Sequence, residues 1–115
     1  MLRGEIWQVD LNPAQSNESS KSRPAVVVSN DRANATAARL GRGVVTVVPV
    51  TSNIARIYPF QVLLPAATTG LAVDSKAQAE QIRSVATERL RRRIGRVSPH
   101  ELAQLDQALR LHLEL

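Results

Sequence analysis

The chain has 115 residues, 43% of them hydrophobic and none a cysteine, with a formal net charge of +5 and a pI near 11.0. That length supports one domain, 1–115, burying roughly 65% of its unfolded surface, and the apolar content argues against disorder. The lack of cysteine excludes a disulfide framework and thiolate chemistry, and the absence of an apolar run of ~18 residues or of a leader-type apolar segment points to a soluble cytoplasmic protein with no membrane role.

The first element is Glu5 to Leu11, which alternates so that Trp7, Val9 and Leu11 share one face of a half-buried strand. Asn12-Pro13 ends it, and the polar stretch from Asn12 to Ser22 is of a length that in compact domains is functional or mobile. Arg23-Pro24-Ala25-Val26-Val27-Val28-Ser29-Asn30 follows, the stretch around which the chain is organised. Its unbroken β-branched run is that of a strand covered on both faces. Pro24 has no N–H for a ladder, so the strand should start just after it, with Arg23 held extended by the proline ring at the strand's mouth. Asp31 caps a short alanine-rich helix through Leu40, stopped by Gly41. Val44 to Val50 is a third strand, with the polar groups Thr51-Ser52-Asn53 at its exit, and Phe60 to Leu64 is a fourth.

Beyond it, Pro65 to Gly70 reads as a loop and Asp74-Ser75 opens a strand through Ala79. Ile82 to Val85 continues the sheet after a bend at Glu80-Gln81. Thr87 to Leu90 reads as one helical turn, Arg89-Leu90-Arg91-Arg92-Arg93 as a solvated basic face, and Ile94 to Val97 as a last short strand. Ser98-Pro99-His100-Glu101 is a capping box with proline at the first helical position. Leu102, Leu105, Leu109 and Leu113 then mark one face of a terminal helix that must pack on the sheet, with Leu111 pointing away. The fold class is mainly β with helices (α+β), a small curled barrel with a C-terminal amphipathic helix.

The arginine excess suits a polyanionic partner, although an alanine- and arginine-rich composition also follows from GC-biased coding. The two histidines, His100 and His112, lie twelve residues apart on the terminal helix, about 18 Å and a third of a turn out of register, so they cannot act together on one phosphate. No metal-ligand spacing, Gly-rich phosphate loop or Ser–His pairing is visible, so the chemistry has to run on Arg, Glu, Thr or Ser with no cofactor and no metal. RNA cleavage by its own 2′-hydroxyl fits that inventory, because nucleophile and phosphate both come with the substrate. Arg23 would neutralise the phosphorane oxygens, Thr51 would donate a hydrogen bond to one, and Glu18 would accept the 2′-proton. Each also has a plain alternative: Arg23 pointing into water, Thr51 capping a turn, Glu18 as a solvated loop charge.

Arg3-Gly4-Glu5-Ile6-Trp7, Glu18 with Arg23 to Ser29, Val48-Pro49-Val50-Thr51-Ser52, Tyr58-Pro59-Phe60 and Glu80-Gln81-Ile82-Arg83-Ser84 occur in an order and spacing that resembles the MazF/PemK family of toxin–antitoxin ribonucleases across essentially the whole chain. The resemblance implies an SH3-like barrel, a homodimer, and metal-independent, sequence-selective cleavage of single-stranded mRNA to 2′,3′-cyclic phosphate and 5′-hydroxyl ends. It also implies a cognate acidic antitoxin whose disordered C-terminal tail lies across the RNA site. By the same resemblance Arg23 falls on the family's catalytic arginine, Thr51 on its catalytic threonine and Glu18 on its acidic loop residue. Arg3, Asn17, Asn53, Tyr58, Pro59 and Gln81 fall on its RNA groove. The chain departs from the family at Ser16-Asn17-Glu18, where a glycine is common. The rival readings are a non-catalytic nucleic-acid-binding barrel and a gyrase inhibitor like CcdB, which shares the fold. The latter carries a Trp-Gly-Ile helix end, and this chain ends Leu111-His112-Leu113-Glu114-Leu115.

Overall fold

The computed structural model describes residues 1–11 and 22–115; the Asn12-to-Ser22 loop apart from Ser22, with Asn17 and Glu18 in it, lies outside the described residues. The strand runs form β1 (Glu5–Asp10), β2 (Ser22–Val27), β3 (Val44–Thr51), β4 (Gln61–Leu64), β5 (Ser75–Gln78), β6 (Arg83–Ala86) and β7 (Leu90–Arg96). Helices are α1 (Asp31–Leu40), α2 (Ala66–Thr69) and α3 (Pro99–Leu113). The strands pair antiparallel in the order β4-β5-β3-β2-β1-β7, with β6 also on β3. Along one edge of β3, Val44 to Val47 pair with β6, and Val50 and Thr51 pair with β5; a 3₁₀ turn at Ala79–Gln81 carries the chain from one to the other. That turn is the bend expected at Glu80-Gln81.

The sheet has a core on each side, and the alternation along β2 and β3 supplies both. Val26, Val28, Val48 and Val50 join Ile6, Leu64 and Leu105 in one cluster. Ala25, Val27, Val45 and Val47 join Val9, Leu11 and Ala37 in the other, with Trp7 packed against it. Trp7, Val9 and Leu11 thus share a face as their spacing requires, while Ile6 faces α3. β2 begins at Ser22, two residues ahead of Pro24. Its β3 ladder starts only at Ala25, so the proline lies where β2 is paired on the β1 side alone.

Four expectations need correction. The cap of α1 is Asn30, whose side-chain oxygen accepts from Ala33 N, and Asp31 is the first residue of the helix. The basic run is a strand edge: after a single 3₁₀ turn at Thr87–Arg89, β7 runs seven residues beside β1. Arg89, at the end of the turn, and Arg91 lie at 3.8 and 3.3 Å from Asp10, and Arg93 at 3.1 Å from Glu5, so acids of β1 face the arginines along this edge. The Pro65–Gly70 loop contains one helical turn, α2. Gly95 in β7 packs directly on it, where a Cβ would overlap the Thr69 carbonyl oxygen, so glycine lets β7 approach the segment after β4. On α3 the capping box forms as read, Ser98 Oγ accepting from Glu101 N and Glu101 accepting from Ser98 N. Leu105 and Leu109 are buried and Leu102 is partly so, but Leu113 is 45% exposed, on an open groove that it lines with Val28, Val44 and Thr46.

Candidate active site

The β2–β3 ladder pairs Val27 with Val47 and Ala25 with Pro49, and continuing that register brings Arg23 and Thr51 opposite each other at the strand ends. Both line one cleft of about 240 Å³, with Pro24, Ser52, Leu71 and Ser75 among its walls. Arg23 is exposed, and its Nη2 donates to Gln78 Oε1 at 3.1 Å and to the Val50 carbonyl oxygen at 3.4 Å. No carboxylate among the described residues pairs with it. Thr51 Oγ1 accepts from Asn53 N at 3.2 Å. A hydroxyl that accepts keeps its own proton to donate. Thr51 therefore caps its turn and still offers a donor to the cleft.

The outer face of the sheet extends this arrangement. Lys76 in β5 sits directly opposite Thr51, and Gln61 in β4 directly opposite Gln78. Gln61 accepts from Tyr58 N at 3.1 Å and donates to Glu80 Oε2 at 2.8 Å. Glu80 Oε1 is buried without a hydrogen-bond partner among the described residues. Tyr58 stacks parallel on Phe60 with ring centroids 5.4 Å apart and receives a bond from Arg56 Nη1 at 3.2 Å. Asn53 is exposed and accepts from Ala55 N through its side-chain oxygen, and Gln81 is exposed on the 3₁₀ turn between β5 and β6.

Not every candidate converges. Pro59 lines a separate, larger groove of about 820 Å³ between α3 and the Ile57–Pro65 stretch. Arg3 lies at the opposite end of β2 from Arg23, donating to the Val28 carbonyl oxygen at 2.9 Å and paired with Asp106. Asn17 and Glu18 lie outside the described residues. Gln78 and Lys76 were missed in the sequence, where the alternation Lys76-Ala77-Gln78-Ala79 already set both polar side chains on one strand face. No group of three His, Cys, Asp or Glu able to hold a metal occurs among the described residues.

The sequence matches, over residues 2–113, the family described as PemK-like, MazF-like toxin of type II toxin-antitoxin system. The chain belongs to that family. Endoribonuclease MazF9 of Mycobacterium tuberculosis strain H37Rv is 78% identical over 115 residues, spanning 100% of this chain and 98% of that protein. The crystal structure of MazF from Deinococcus radiodurans matches with a TM-score of 0.78 at 28% identity, covering 100% of this chain and 97% of that one. A MazE–MazF crystal structure from the same organism matches with a TM-score of 0.79 at 26% identity, covering 100% and 96%. The family match sets aside the gyrase-inhibitor and non-catalytic readings in favour of the MazF/PemK one.

Proposed function

We propose that this toxin, an endoribonuclease by its family and its full-length relative, cuts single-stranded mRNA through attack of a ribose 2′-hydroxyl on the adjacent phosphate. The observation that carries the reading is the meeting of Arg23 and Thr51 in one cleft, a guanidinium with no carboxylate partner among the described residues beside a hydroxyl with a proton to give. A phosphorane carries more negative charge on its equatorial oxygens than the diester it came from. Donors already fixed in place stabilise that charge without reorganising. Arg23 takes this part first, since a guanidinium does not readily release a proton, and Thr51 donates to a second oxygen. Glu18 is assigned the 2′-proton by its place in the sequence. Collapse expels the 5′-oxygen, leaving a 2′,3′-cyclic phosphate and a 5′-hydroxyl, and no step needs a metal. Asn53, Tyr58 and Gln81 line the RNA path, with Arg3, Asn17 and Pro59 its outlying members. Residues 1–115 work as one toxin domain, as a homodimer in the cytoplasm. Among the described residues no helix is long and apolar enough to cross a membrane.

The partner is an acidic antitoxin with a disordered C-terminal tail. A complex between relatives exists in the MazE–MazF structure, and a chain of net charge +5 attracts an acidic segment able to fold as it binds. That tail and the RNA phosphates compete for the same guanidinium. One assay tests the whole reading: end-labelled RNA, purified protein and EDTA, with and without the antitoxin tail. Cleavage should persist in EDTA, leave a cyclic phosphate, fail on RNA lacking the 2′-hydroxyl at the cut site, and stop as the tail saturates. Hydrolysis of the deoxy substrate would overturn the mechanism, and a ternary complex still cutting at full rate would overturn competition by occupancy.

A further inference from the structure

We propose that Lys76 is a positioning residue for RNA, holding the Ser52-to-Phe60 segment against the strand that carries Thr51; this rests on the function proposed above. Lys76 is only 8% exposed. Lysine is almost never buried without a charged partner, and none of the ion pairs among the described residues includes it. Its Nζ instead donates to the Arg56 carbonyl oxygen at 2.6 Å and lies 5.9 Å from the centre of the Tyr58 ring. The Arg56 guanidinium lies 5.6 Å from the same centre. One ammonium therefore ties down the backbone of one loop residue and the ring of another.

The placement explains why a charge is kept there. Residues 52–59 are all exposed and form no ladder; Thr51 holds their start at Asn53 N, Gln61 and Phe60 hold their end at Tyr58, and Lys76 supplies the bond to the middle, at Arg56. Lys76 faces Thr51 on one side and Leu63 on the other, a setting in which an apolar side chain would lower the desolvation penalty. Directly opposed residues of an antiparallel pair project to the same face with Cβ atoms about 4.5–5.5 Å apart. The amine thus spans from the Thr51 neighbourhood to the loop and sets where Arg56 and Tyr58 stand relative to the reacting phosphate. A loop ordered before RNA arrives loses less entropy on binding, which lowers KM and leaves the chemical step unchanged.

Lys76→Met keeps the stem and removes the amine; Lys76→Arg keeps a cation. Tyr58 is the only tyrosine, so 3-fluorotyrosine gives one 19F resonance that reports on the loop without reference to cleavage. In Lys76→Met the resonance should move toward its position in the urea-unfolded chain. KM for RNA should rise about tenfold with kcat changed less than about twofold, at an unchanged or higher melting temperature. Lys76→Arg should restore most of the KM and of the resonance position. A Lys76→Met protein with an unmoved resonance, an unchanged KM, a fallen kcat or a lost fold would each overturn the proposal. Failure of the wild type to cut RNA would instead refute the function above, and the 19F resonance would still decide whether Lys76 holds the loop.

Discussion

Replacing Arg23 by alanine removes a guanidinium from the cleft and nothing from either core. The side chain is exposed and, among the described residues, bonds to Gln78 and to the Val50 carbonyl, so stability should stay within about 0.5 kcal/mol of wild type. The chemical step should suffer far more. Loss of one preorganised oxyanion donor raises a barrier by about 2.7–4 kcal/mol, a fall of about 10²–10³ in kcat. Lysine at 23 should fall between, because it keeps the charge and loses the fork that lets one nitrogen grip Gln78 while the others face the phosphate. Gln78→Ala should lower kcat by only about threefold to tenfold, since the charge remains and only its aim is loosened. Single-turnover cleavage of a labelled RNA at saturating enzyme, beside melting curves for each variant, measures all three. A folded Arg23→Ala protein that cleaves at the wild-type rate would refute the assignment of Arg23 and with it the reading of the cleft.

Thr51→Ala should lower kcat more than about tenfold yet less than Arg23→Ala, because a neutral donor is weaker than a charged one; an unchanged single-turnover rate would remove Thr51 from the chemistry. Ser98→Ala removes the Oγ that accepts from Glu101 N, while the Ser98 N bond to the Glu101 carboxylate survives, and should cost about 1 kcal/mol, seen as a fall in melting temperature of roughly 4 °C, with kcat untouched. A loss of activity at intact stability would contradict that separation. For Glu5, burial pushes the carboxyl up, but this is outweighed by hydrogen bonds from Leu2 N and Trp7 and by the charges of Arg93 and the N-terminus, which together hold it below its ordinary value of 4.5. A lowered folded pKa stabilises above the unfolded value, and that stabilisation fades as pH falls through the folded one. Wild type should therefore be more stable than Glu5→Gln above about pH 5, by under about 1 kcal/mol given the half-exposed Arg93, with the gap closing in acid. Melting curves showing a gap that widens as pH falls would contradict this.

The strands that build the site were legible because their residues answer to local rules. Ala25 to Val28 and Val44 to Val50 carry enough β-branched side chains to fill two cores, and no helix tolerates that pattern as well. The α3 start was legible for the same reason, since the capping box is complete within four residues. What was not legible depends on partners distant in sequence. The basic run reads as a solvated face until Glu5 and Asp10, some eighty residues earlier, lie alongside it. Leu113 belongs to the helical stripe by spacing, but it lines an open groove beside Val44 and Thr46, which only the packing of α3 against the sheet decides. Of the site, Arg23 and Thr51 announce themselves at strand exits. Gln78 and Lys76 do not, because only the register of β5 on β3 and β4 brings them there.

The burial of β2 and β3 on both faces has a consequence for how the toxin can be switched off. Amides in such strands exchange with solvent only when the whole domain opens, whereas exposed loops exchange through small local fluctuations. Arg23 and Thr51 hang from the ends of those strands, so the pair proposed to act on RNA is carried by strands that run into the slowest-opening part of the molecule. Thermal breathing of the surface leaves their spacing intact. An inhibitor that worked by loosening the fold would have to supply the free energy of global unfolding. One that covers the cleft needs only to outcompete RNA, and a toxin inhibited that way is active again as soon as its cover is degraded.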